Sequence, residues 1–77
     1  MDKITKFLLK LSIKERNFIL EIMWKILSLQ LDGLDIKQLQ WKTNLFRIRK
    51  WKIIIIFQIE WSKSKIIDIN YREKIYN

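Results

Sequence analysis

The 77-residue sequence has no cysteine, no proline and no histidine. Without cysteine there are no disulfides and no thiolate metal sites. Without histidine the usual imidazole base and metal ligand are both missing. Acid–base chemistry must then come from Asp, Glu, Lys or Tyr, and neither a metal nor an organic cofactor is expected. Glycine is almost absent too: Gly33 stands alone, where about 7% is usual. Long apolar runs are lacking, since the longest, Ile53–Phe57, falls far short of the ~20 residues a membrane span needs. Met1 to Lys10 is broken by Lys3, Lys6 and Lys10, so it lacks the continuous apolar stretch of a secretion signal. These absences set a cytoplasmic location as the expectation.

Hydrophobic residues make up 49% of the chain, which argues against disorder. The length suits a single domain spanning 1–77, with a core that can bury only roughly 60–65% of the unfolded surface. The 16 Lys+Arg outweigh the 8 Asp+Glu, for a formal charge of +8. That balance favours a polyanionic partner: nucleic acid, an acidic membrane surface or an acidic protein.

Periodicity divides the chain. Ile4, Phe7, Leu8 and Leu11 recur at helical spacing. Ser12 and Glu15 then form the S-x-x-E pattern of a second helix start. Phe18, Ile22, Ile26 and Leu29 make its apolar stripe, widened by Ile19, Met23 and Leu27. Asp32-Gly33 is a turn signal that ends it. Beyond, the period drops to two. Phe46 and Ile48 alternate with Arg47 and Arg49 over Leu45–Lys50. Ile53–Glu60 is a β-branched run. In Ile66–Tyr71, the residues Ile67, Ile69 and Tyr71 read as one face, with Ile66, Asp68 and Asn70 on the other. Polar breaks at Trp51-Lys52 and Trp61–Lys65 suit hairpin turns. The expected class is α+β: an N-terminal helical hairpin packed on a three- to four-stranded antiparallel sheet.

No acidic residue lies between Asp35 and Glu60, whereas Lys37, Lys42, Arg47, Arg49, Lys50 and Lys52 do. On a strand, Arg47 and Arg49 would share a face about 7 Å apart, close to the spacing of successive phosphates along a single nucleic-acid strand. Two guanidinium forks so placed could grip adjacent phosphates. The alternative is a solvated charged face that keeps a small domain soluble. A basic membrane-active peptide fits less well, since such peptides are mostly helical and the second half reads as strands.

Several stretches together resemble the RelE/ParE superfamily of bacterial type II toxin–antitoxin systems. They are Phe7–Ser12, Lys14–Arg16, Leu34–Leu39, Asn44–Arg49, Ile55–Phe57 and Ile67–Arg72 followed by Tyr76. The likeness covers nearly the whole chain and rests on the ensemble. It implies two helices on a twisted antiparallel sheet. RelE-like members are metal-independent endoribonucleases, or mRNA interferases, that cut mRNA on the ribosome by attack of a ribose 2′-OH on the adjacent phosphate. ParE-like members instead inhibit DNA gyrase. Carried onto this chain, the resemblance implies catalytic roles for Arg47, Arg49, Arg72 and Tyr76, with Lys37, Lys42, Lys50 and Lys52 as RNA-binding cations. Tyr76 would take the 2′-OH proton if neighbouring arginines lower its pKa from about 10. Where the family commonly carries a further arginine, this chain has Ile54. The resemblance also implies a cognate acidic antitoxin, which would wrap the toxin with a helix or add a strand to a sheet edge.

Four tryptophans accompany the one glycine. Trp41, Trp51 and Trp61 fall where turn chemistry and the family pattern place glycine. Trp51 and Trp61 in particular occupy turns that favour φ > 0. One hypothesis is that the source organism reads UGA as glycine, so that these positions are glycines there. Trp24, expected mid-helix, would be a fourth. The other reading is four genuine tryptophans acting as base-stacking platforms.

Overall fold

A computed structural model of the protein describes residues 2–39 and 44–75. Helix α1, Lys3–Leu9, starts at Asp2, whose side chain accepts a hydrogen bond from the Thr5 N–H at 2.7 Å. That bond holds the Asp2 carboxyl below its ordinary pKa. Helix α2, Ile13–Leu27, starts at Ser12 with both halves of the capping box in place. Each half satisfies an amide that the helix itself leaves unpaired. Arg16 ties the hairpin together: Nε donates to the Leu8 carbonyl at 3.0 Å and Nη2 to the Leu11 carbonyl at 3.2 Å. These acceptors lie at the α1 C-terminal end, where carbonyls lack intrahelical partners. No described helix is long and apolar enough to cross a membrane.

Four antiparallel strands follow: β1 (Ile36–Gln38), β2 (Leu45–Lys50), β3 (Ile53–Glu60) and β4 (Lys63–Tyr71), in the spatial order β1-β2-β3-β4. A one-turn helix α3, Arg72–Ile75, closes the described chain. Strands β2 and β3 have the boundaries their alternation and β-branching predict. The fold is thus α+β, with four strands. The helices cover one face of the sheet. Phe7, Leu11, Ile19, Ile22 and Ile26 pack there on Ile48, Ile53, Ile55, Phe57 and Ile69.

Three expectations need correction. The α2 core stripe is centred on Ile19, Ile22 and Ile26, not on Phe18. Phe18 turns to the flank, where its ring lies 4.9 Å from that of Trp51. The second hairpin turn is only Trp61-Ser62, so β4 begins at Lys63. Finally, a register shift between Ile56 and Phe57 pairs Phe57 with Ile66 and Ile56 with Asp68. This bulge places two β4 residues where one would sit. Ile66 therefore packs on the helix side together with Ile69 and Tyr71, and Ile67 is left exposed. Tyr71 is half-buried and packs against the core, edge-on to Phe7 at 5.0 Å.

The turns carry backbone strain. Trp51 has φ 56°, Trp61 54° and Ser62 65°. Positive φ at both central residues of a two-residue hairpin is the type I′ pattern, which favours Asn and Gly. The left-handed region costs an L-residue about 1–2 kcal/mol. Trp61 is 88% exposed and little packing offsets that cost, whereas the Trp51 ring rests on Phe18. The backbone thus asks for glycine at both positions, as the sequence pattern does. Trp61→Gly should raise stability by about 1 kcal/mol, which for a domain of this size raises Tm by ~4–8 °C. Trp51→Gly should give a smaller gain. Thermal unfolding followed by circular dichroism checks this, and a fall in Tm for Trp61→Gly would contradict it.

Candidate nucleic-acid interface

The register decides which side chains share the sheet face turned away from α1 and α2. Arg47 stands between Lys37 of β1 and Ile56 of β3, and Ile56 in turn pairs with Asp68 of β4. Directly paired residues point the same way, so Lys37, Arg47, Ile56 and Asp68 form one row across this outer face. The next row is Arg49, Ile54 and Asn70. Arg47 and Arg49 are one side-chain repeat apart on β2, about 7 Å. The β2 arginines that the sequence singles out therefore lie together, with Lys37 of β1 directly opposite Arg47.

Their environments differ. Arg49 and Lys37 are exposed and Arg47 is half-buried. The Arg47 Nη1 atom is buried and has no hydrogen-bond partner among the described residues. A buried donor without an acceptor costs about 1–3 kcal/mol, more when charged. An incoming anionic oxygen would give such a donor a charge-assisted bond. At the far end of the row, Asp68 is already engaged. Its Oδ1 accepts from the Ile69 N–H at 2.8 Å and pairs with the Lys3 ammonium at 3.1 Å. The carboxylate that shares the Arg47 row is thus held at the β4 edge.

Arg72 occupies a different place. As the first residue of α3 it donates its backbone N–H to the Lys52 carbonyl at 2.7 Å. By sheet spacing its backbone stands about 12 Å from that of Arg49. With Trp51, Lys52, Tyr71 and Glu73 it lines a cleft of about 610 Å³ at the β2–β3 turn. Lys50 does not join the outer face. It is in phase with Phe46 and Ile48, and its ammonium sits 5.0 Å from the Phe18 ring centroid and 5.8 Å from that of Trp51. Lys42 and Tyr76 lie outside the described residues.

Comparison of the chain with protein-family models, curated proteins and solved structures finds no match. The site must be read from its own geometry.

Two features of that geometry escape the sequence reading. Ile54 is fully buried yet stands apart from the core under the helices. It is the apolar floor between Arg49 and Asn70. Asp68 reaches the Arg47 row because of the β4 bulge, which simple alternation cannot locate. Among the described residues no group of three or more Asp, Glu, His or Cys could hold a metal ion.

A cation kept partly desolvated should cost stability. Arg47→Met preserves most of the stem and removes the buried donor. It should stabilise the fold by about 1 kcal/mol while weakening binding of single-stranded RNA. Urea denaturation paired with an RNA titration measures both. Loss of stability with unchanged affinity would show that Arg47 serves the fold.

Proposed function

We propose that this protein is the toxin of a type II toxin–antitoxin system, acting in the cytoplasm as a RelE-like, metal-independent endoribonuclease on ribosome-bound mRNA. The observation that carries the reading is the Arg47 guanidinium, held half-buried with an Nη1 that has no partner among the described residues, beside Arg49 and Lys37 on one sheet face. Its support from the sequence is the RelE/ParE-like order of segments.

In this reading the RNA backbone runs along the β2 side of the outer face. The 2′-oxygen of one ribose attacks the adjacent phosphorus and the bond to the 5′-oxygen breaks. The products are a 2′,3′-cyclic phosphate and a 5′-hydroxyl end. Arg47 and Arg49 stabilise the extra negative charge on the phosphorane, because guanidinium stays protonated and offers several donors. Arg72 approaches from the end of β4. Tyr76, at the position the resemblance assigns to the base, takes the 2′-OH proton. The requirement for a 2′-hydroxyl restricts cutting to RNA. The +8 charge calls for an acidic antitoxin to silence the protein.

One observation favours a second reading. Ile54, at the family's arginine position, is buried in the middle of the outer face. A buried aliphatic side chain there offers no cation to a phosphate, which suits a ParE-like toxin that binds gyrase or another protein and cuts nothing.

Incubation with translating ribosomes separates the two. The nuclease reading expects mRNA fragments with cyclic phosphate ends, and a rate that falls about 10²–10³-fold in Arg72→Ala, the usual loss for one preorganised donor. Intact mRNA together with inhibited gyrase supercoiling would transfer the assignment to the second reading.

A further inference from the structure

Strand β4 ends the sheet on one side, and its 9 residues make it a long edge. Such an edge offers amides and carbonyls to any other strand. The two halves of β4 differ. The first carries the exposed Lys63 and Lys65, whose charge discourages pairing. The second, Ile66–Tyr71, holds Ile66, Ile67 and Ile69 with Asp68 as its only charge. A short β-prone segment of low charge is one that pairs with copies of itself.

The hydrogen-bond phase shows how this half is guarded. The Arg72 N–H donates to the Lys52 carbonyl. Bonded pairs alternate along an antiparallel ladder, so Asn70–Ile54 and Asp68–Ile56 are the bonded pairs. The amides of Ile69 and Tyr71 therefore point away from β3, towards the sheet edge. Neither is left for another strand. The Ile69 N–H donates to Asp68 Oδ1 and the Tyr71 N–H to Asn70 Oδ1, both at 2.8 Å. Asp and Asn are residues whose short side chains divert nearby amides in this way. Lys3 adds to the closure. It belongs to α1 on the helix side of the sheet, and Asp68 lies in the outer-face row. The Lys3 ammonium still reaches Asp68 Oδ1 at 3.1 Å, so its side chain passes around the edge.

We propose that Asp68 and Asn70 close the β4 edge and keep two copies of this chain from pairing edge to edge. The segment is otherwise self-complementary. Antiparallel pairing about a two-fold axis at Ile69 would set Ile69 against its own copy and Ile67 against Tyr71, both apolar cross-strand pairs. The outward phase of the Ile69 amide suits that pairing, but each copy would first have to release both capped amides. Repulsion between two chains of charge +8 is screened beyond about 8 Å at physiological salt, so the caps carry the protection at contact. The inference does not depend on the RNA reading.

The test compares wild type with the Asp68→Ala, Asn70→Ala double variant and with the Asp68→Asn, Asn70→Asp exchange. The exchange keeps both acceptor oxygens. The alanine variant removes them and makes the net charge more positive, so charge alone would lessen its association. Sedimentation at physiological salt should show wild type and the exchange variant monomeric. The alanine variant should self-associate at least about ten-fold more strongly, and adding Ile67→Lys should reverse this. Amide hydrogen exchange, read on dilute monomer, should be at least about ten-fold faster at Ile69 and Tyr71 in the alanine variant, with the Ile55 amide still protected. If Ile55 also loses protection, Asn70→Ala alone replaces the double variant and is read at Tyr71. An alanine variant that stays monomeric would overturn the proposal. So would association that Ile67→Lys leaves intact, or a wild-type oligomer that Ile67→Lys dissolves.

Discussion

The register of β2 on β3 is the constraint from which the candidate site follows. Side chains on a strand alternate, so a slip of one residue would exchange the two faces. Phe46 and Ile48 pair with Phe57 and Ile55, and those contacts lie under the helices. Burial of these side chains, worth about 1.5–3 kcal/mol each, holds the phase. Arg47 and Arg49 are turned outward as a consequence. The outer face thus derives its geometry from the hydrophobic one, and the two cannot be tuned independently.

Alternation also shows what was legible in the sequence. The helix start at Ser12, the limits of β2 and β3, the shared face of Arg47 and Arg49 and the packing of Tyr71 against the core all follow from period and capping chemistry. Lys50 was legible as well: it has the parity of Ile48, and grouping it with the other cations by charge overlooked that. Strand β1 was not legible, because three residues, Ile36–Gln38, are too few to show a period. The β4 faces were misjudged at Ile66-Ile67, where two adjacent isoleucines conceal the bulge. On α2 the exposed Leu27 reads as part of the core stripe, while the exposed Ile13 and Leu20 fall outside it. The placement of Arg72 relative to Arg49 depends on sheet pairing, and no local signal encodes it.

The tryptophans connect sequence and backbone differently. Scarce glycine and surplus tryptophan are a compositional oddity, but Trp51 and Trp61 sit at positive φ, where glycine is the natural occupant. Both kinds of observation point to the same two positions. Neither residue is needed to build the outer face, so the Arg47 row stands whichever residue occupies the turns.

The most direct test of the central claim is to record backbone amide shifts by NMR while titrating a short single-stranded RNA made non-cleavable with 2′-deoxy sugars. If the outer face grips the RNA backbone, the largest shifts fall at Lys37, Arg47 and Arg49 and shrink as salt rises, with the α2 surface silent. Shifts concentrated on α1 and α2, with β2 unmoved, would contradict the account.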